Sequence, residues 1–194
     1  MSLFELYFRL GLEHIADLKG YDHILFILTL CAVYSIREWK RVLILVTAFT
    51  LGHSLTLALA TLDLIRVNTG LIEFLIPVTI FLTALANILT KKQKVIPLLH
   101  HLKYGAALFF GLIHGLGFSS YLRSLLGSEK GLALPLFSFN LGIEAGQILI
   151  VLAIMLATLL VVDGMKYSRR EWNVVLSGAG LGISLVLIIE RIPF

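Results

Sequence analysis

Long apolar runs separated by short polar clusters organise this chain. The runs at Val42–Leu62, Gly70–Leu89, Tyr104–Leu126, Leu132–Val162 and Trp172–Ile192 are each near or above the roughly 20 residues a helix needs to cross a bilayer. A shorter run, Asp22–Ile36, precedes them and predicts a first span, six in all. The run at Leu132–Val162 is long enough to tilt or to begin before the bilayer. Ahead of all of these, Leu3–Leu18 predicts an amphipathic helix. Its Phe4, Phe8, Leu12 and Ile15 recur at helical spacing, with Glu5, Arg9 and Glu13 on another side. Such a helix lies in the interface or enters it partway. The pattern predicts an all-α polytopic bundle of seven helices, with residues 1–194 forming one integral membrane domain. Pro135 suits the start of a helix, Pro77 sits where it can kink one, and Gly127–Gly131 reads as a turn.

Composition makes the membrane reading firm. The chain is 58% hydrophobic and 14% charged, with a mean hydropathy of +0.94. A soluble domain is about 45–50% apolar and about 25% charged, so the bilayer is the expected surroundings. The single cysteine, Cys31, lies in an apolar run and excludes an intrachain disulfide or a cysteine metal cluster. The net charge of +4 is spread over short linkers, which argues against a nucleic-acid partner. The opening stretch MSLFELYFRLGLEH lacks a basic leader and carries Glu5 and Glu13, so it does not read as a signal peptide.

The basic residues also set an orientation. Arg37, Lys40, Arg41, Lys91, Lys92, Lys94, Lys103, Lys166, Arg169 and Arg170 fall at one end of the spans. Arg9, Lys19, Arg66, Arg123, Lys130 and Arg191 fall at the other. The positive-inside rule places the first group in the cytoplasm, with Tyr34, Trp39, Tyr104, Tyr167 and Trp172 as its aromatic belt. The C-terminus is then outside a bacterial inner membrane. His100–His101 reads as a solvated pair in a basic cytoplasmic loop, and Glu73 and Glu190 as carboxylates snorkelling at span ends.

Four phrases break the rule that spans are apolar: HIADLKGYDHILF, FTLGHSLTL, FFGLIHGLGF and FNLGIEAGQ. They carry His14, Asp22, His23, His53, His114 and Glu144, with Ser54, Thr56, Asn140 and Gln147 beside them. Ionisable groups within a membrane are costly and mark functional sites. At about 1.5 Å per helical residue, these groups fall in the outer half of the bilayer or near its middle, where one pocket open to the outside can collect them. Asn140, Glu144 and Gln147 share one helical stripe. Gly111 and Gly115 bracket His114, and Gly142 and Gly146 bracket Glu144, as small residues do where helices meet closely in lipid.

Histidine and carboxylate without cysteine suit a borderline divalent ion: zinc, nickel, cobalt or iron. His23, His53 and His114 are the first expected ligands, Asp22 and Glu144 the next, and His14 joins them if the N-terminal helix folds over the rim. Ser54, Thr56, Asn140 and Gln147 are expected to orient ligands or hold water. Plainer roles stay open: Asp22 as a helix cap, a lone histidine bonding across helices, and Glu144 with Asn140 as a structural polar network.

The same four phrases, in this order, resemble the HupE/UreJ family of bacterial membrane proteins, and its second branch most. The resemblance runs from about Gly11 to Val162. It implies a nickel or cobalt permease or an accessory protein, with a histidine and Asp-His motif in the first span as the metal-binding hallmark. Here that motif falls on His14, Asp22 and His23. The permease branch usually carries a proline after the first histidine, where this chain has Ile15, and its spacing to the Asp-His pair is shorter.

The residues support three functions. The first is transport of nickel, cobalt or zinc through the pocket, without a nucleotide-binding motif. The second is a membrane-embedded zinc hydrolase, similar in its chemistry to the alkaline ceramidase-like superfamily, with Asp22 or Glu144 as general base and Ser54 at the oxyanion. The third is a metal sensor or assembly partner. The stretch YGAALFFGLI below His114 is dry, which favours a one-sided pocket. The glycine-rich C-terminal span leaves homo-oligomerisation open.

Overall fold

A computed structural model describes residues 1–18, 20–90, 97–126 and 131–193, with backbone alone for 97–100. Lys19, Lys91, Lys92, Lys94, Lys130 and all of the Gly127–Gly131 turn except Gly131 lie outside the described residues. The described residues form seven α-helices and no strand: α1 (Leu3–Ala16), α2 (Asp22–Cys31), α3 (Trp39–Thr61), α4 (Thr69–Leu89), α5 (Pro97–Leu126), α6 (Ala133–Thr158) and α7 (Arg169–Glu190). A 3₁₀ turn at Ile36–Glu38 leads into α3, and a wider π turn extends α6 to Gly164. Five of the helices are long and apolar enough to cross a membrane. α2, with ten residues, is not.

Glycine positions show how the helices run. A Cβ on Gly11 would overlap the Phe139 carbonyl, and one on Gly142 would overlap the Phe8 carbonyl. Gly142 and Gly146 meet the Phe8 and Leu12 carbonyls in turn, as Gly111 and Gly115 of α5 meet those of Phe49 and His53 of α3, so α1 and α6 are parallel, and so are α3 and α5. The same reciprocal contact recurs between α3 and α5, where Gly52 meets the Leu108 carbonyl and Gly111 the Phe49 carbonyl. Phe-x-Leu-Gly occurs at Phe8–Gly11, Phe49–Gly52 and Phe139–Gly142, in three of the four helices so paired. Phe118 near the end of α5 stacks on Phe139 near the start of α6, so the two crossings point in opposite directions.

α2 runs with α4 and against α7. Asp22 lies beside Arg191 at the end of α7, while Thr29 lies against Gly180 and accepts from Asn87 Nδ2 at 2.8 Å through its carbonyl. Asn87 Nδ2 also bonds Ser177 Oγ at 3.2 Å, and the Asn87 carbonyl accepts from Asn173. α1 and α2 thus run in one direction, and a five-residue break is too short to return the chain alongside itself. At 1.5 Å per residue they measure about 21 and 15 Å, against about 30 Å of hydrocarbon. Neither crosses alone. Their combined length of about 36 Å, broken at Asp17–Tyr21, suffices for one crossing, and α1 packs along α6. The start of α1, the end of α7 and the linker 62–68 share one end, here the pocket end. The opposite, basic end carries Arg37, Arg41 and Arg170.

Local chemistry explains the boundaries. Ser2 and Glu5 form a capping box that starts α1. Asn68 and Ser168 cap α4 and α7 through bonds to Leu71 and Glu171. Asp22 does not cap α2. Tyr21 holds that position without a side-chain bond, and Asp22 sits in the first turn. His101 is an exposed residue of α5 rather than of a loop.

At the pocket end, Asp63 adopts a left-handed backbone (φ 60°) and receives Arg66 Nε at 2.9 Å and Arg123 Nη1 at 2.9 Å. The Arg66 guanidinium, helped by Arg123, holds the Asp63 carboxyl down to about 2. A depressed carboxyl contributes stability above its unfolded value of 3.8, and that contribution is lost as pH falls through about 2. The stability difference between wild type and Asp63→Asn, followed by thermal unfolding in detergent, should stay constant from pH 7 to about 5 and shrink steadily below about 4.

Candidate metal centre

The interrupted crossing places the site. His14 lies in the last turn of α1 and His23 in the first turn of α2, so the break brings their rings to a centroid distance of 4.6 Å. α3 adds His53, whose ring centroid is 6.0 Å from both. α5 adds His114, 5.2 Å from His23. One nitrogen from each of His14, His23 and His53 lies within 4.8 Å of the other two. Tetrahedral zinc with bonds of about 2.0–2.1 Å needs nitrogens about 3.4 Å apart, so the rings would draw together around an ion.

The free nitrogens point to a ligand. His14 Nε2, His23 Nε2, His114 Nδ1 and both nitrogens of His53 are buried with no hydrogen-bond partner. Buried polar atoms are almost always paired, and five orphans within one cluster need a shared explanation. His114 shows how its free nitrogen is prepared. Thr79 Oγ1 donates to the Ile76 carbonyl at 2.7 Å, which commits its hydrogen. The 3.3 Å contact with His114 Nε2 must then carry the histidine's N–H. That leaves Nδ1 with its lone pair, the form that binds a metal, and the Thr79 contact fixes the ring as outer partners do in metal sites.

The walls are dry. Phe49 lies 5.0 Å and Phe26 5.4 Å from the His114 ring, and both phenylalanines are buried toward the basic end. Phe118 covers His14 at 3.8 Å and stacks on Phe139. At the other side a cavity of about 330 Å³ reaches His14, His23 and His114, and Asp17, Asp22, Glu73 and Arg191 line it. The carbonyl end of α1 and the amide end of α2 face the same place, so the two helix dipoles largely offset each other there.

The other expected residues divide. Asp22 is beside the cluster, its Oδ2 bonded by Arg191 Nη1 at 3.1 Å and its Oδ1 buried without a partner. Glu144 is set apart. It accepts from Thr47 Oγ1 at 2.6 Å, roughly two turns along α3 from His53. Gln147 accepts from Thr50 at 2.7 Å. Thr56 bonds back to the Gly52 carbonyl and packs on Gly115. Asn140 donates to the Leu136 carbonyl, with Oδ1 unpartnered, and Ser54 is half-buried beside His53. The sequence reading missed Thr79, Glu73 and Arg191. Thr79 and Arg191 act across large chain separations that no local pattern announces.

A profile of the family described as HupE / UreJ protein, in its second form, matches residues 1–191. The chain belongs to the HupE/UreJ family. Among curated proteins and among solved structures, nothing matches it. The HupE/UreJ family is associated with nickel or cobalt transport or an accessory role in it. In this HupE/UreJ chain His14, Asp22 and His23 stand on the two sides of the break between α1 and α2, beside Asp17, Glu73 and Arg191.

Proposed function

We propose that this protein binds a divalent metal of the nickel, cobalt or zinc class at His14, His23, His53 and His114, and serves as a metal permease or accessory protein of the bacterial inner membrane. The single observation that carries the reading is the convergence of four histidines from four helices, each with at least one ring nitrogen unpartnered. The positive-inside rule puts the basic end in the cytoplasm and both termini outside. The cavity then presents the histidines to the outside. Phe26 and Phe49 close the path inward in this conformation, so passage requires them to move. Broken helices whose ends line a cation site recur in secondary transporters, which supports transport over storage.

Imidazoles are neutral ligands, so a bound ion keeps most of its charge, and the nearby carboxylates are what offset it. The test is metal content by mass spectrometry on detergent-purified protein, beside His23→Ala and His114→Ala, followed by uptake into proteoliposomes. Exchangeable nickel or cobalt, lost in both variants, with uptake by wild type alone, is the expected result. One zinc that does not exchange would turn attention to hydrolysis, with Asp22 as base. No metal in any sample after loading would sink the reading.

A further inference from the structure

The carboxylate nearest the histidines is already held by a cation that belongs to the chain. Arg191 follows α7 and reaches back into the pocket, where Nη1 donates to Asp22 Oδ2 at 3.1 Å and to the Glu73 carbonyl at 3.4 Å. The two side chains are 30% and 14% exposed, so the pair is poorly screened. Asp22 is the residue before His23 and keeps one oxygen, Oδ1, buried and unpartnered. Asp17 and Glu73 line the same cavity.

We propose that Arg191 is a tethered stand-in for the metal: it neutralises Asp22 while the histidines are free, and an arriving divalent ion displaces it. The inference rests on the metal reading above. Charge decides its direction. With Arg191 in place, an ion on neutral imidazoles sits close to a second cation, and the Asp22 charge is already shared with it. With Arg191 swung toward water, Asp22 turns to the ion, the local charge falls by one, and the repulsion is relieved. Arg191 therefore sets both affinity and release. It weakens binding at rest, and its return to Asp22 helps expel the ion. Selectivity follows as well, because a monovalent ion gains too little from Asp22 to displace a guanidinium that already bonds it.

Cobalt titration of the purified full chain tests this, since the visible spectrum reports ligand identity as well as affinity. Arg191→Gln should bind cobalt about tenfold tighter or more, in line with partners that orient metal ligands, and Arg191→Lys should stay near wild type. Asp22→Asn placed on Arg191→Gln should remove the gain. A gain that survives Asp22→Asn would reflect general repulsion alone and overturn the proposal, as would unchanged or weaker binding in Arg191→Gln. Wild-type protein supplies a readout free of folding effects: zinc should speed modification of Arg191 by an arginine-specific dicarbonyl, read by peptide mass spectrometry. Modification that zinc slows or leaves unchanged also overturns it. A wild type that takes no cobalt at its histidines overturns the metal reading itself, and that outcome is distinct from a wild type that binds and an Arg191→Gln that binds equally.

Discussion

His53→Leu abolishes tight metal binding and leaves the metal-free protein at least as stable as wild type. His53 is fully buried, and neither ring nitrogen has a partner. Each buried unpaired polar group costs about 1–3 kcal/mol. A leucine of similar size removes that cost and keeps contact with Phe49. Binding moves the other way. Residues that merely orient a ligand are worth about 10–100-fold in affinity, so a ligand itself should cost more than about 100-fold. A residue kept for packing predicts the opposite pair of results: lower stability and unchanged metal. Thermal unfolding of metal-stripped protein, run beside a metal titration, separates the two.

Gly142→Val should be the most damaging single substitution away from the histidines. The new side chain would enter the backbone of α1 at the Phe8 carbonyl, which no rotamer change can move aside. Ordinary overpacking costs about 1–3 kcal/mol, and a backbone-to-backbone contact lies at or above the top of that range. Separating α1 from α6 also carries His14 away from His23, so metal affinity falls with stability. Gly178→Val is the matched control, because nothing lies within 4 Å of a Cβ there. Size-exclusion profiles and unfolding temperatures of the two variants should differ sharply. Equal behaviour would mean that the α1–α6 crossing is not what holds the first helix.

Much of this was legible in the sequence because lipid makes the code strict. An apolar run of twenty residues has few fates, and a histidine inside it needs a reason, so the long helices and His23, His53 and His114 could be named from pattern alone. The glycines around His114 and Glu144 were readable as close-packing sites for the same reason. What pattern could not give was pairing. Glu144 shares a depth with the histidines, yet the rotation of α6 turns it to Thr47. Arg191 looks like an ordinary cation at a span end, and only the antiparallel course of α2 and α7 puts it on Asp22. The first crossing was misjudged because hydropathy sums along the chain. Leu3–Ala16 is too polar for a span and Asp22–Cys31 too short, and the sum does not reveal that two failures in tandem make one success.

That interruption also fixes an order of events during synthesis. α1 emerges first, but the helix it packs against is α6, more than a hundred residues later. At about 5–20 residues per second, α1 waits several seconds or longer without its partner. A segment of fourteen residues with three charges has little tendency to enter the bilayer alone. α1 therefore docks on α6 only after α2 to α5 have been made. His14 joins the other three histidines late, and the cluster is completed only once α6 has been made.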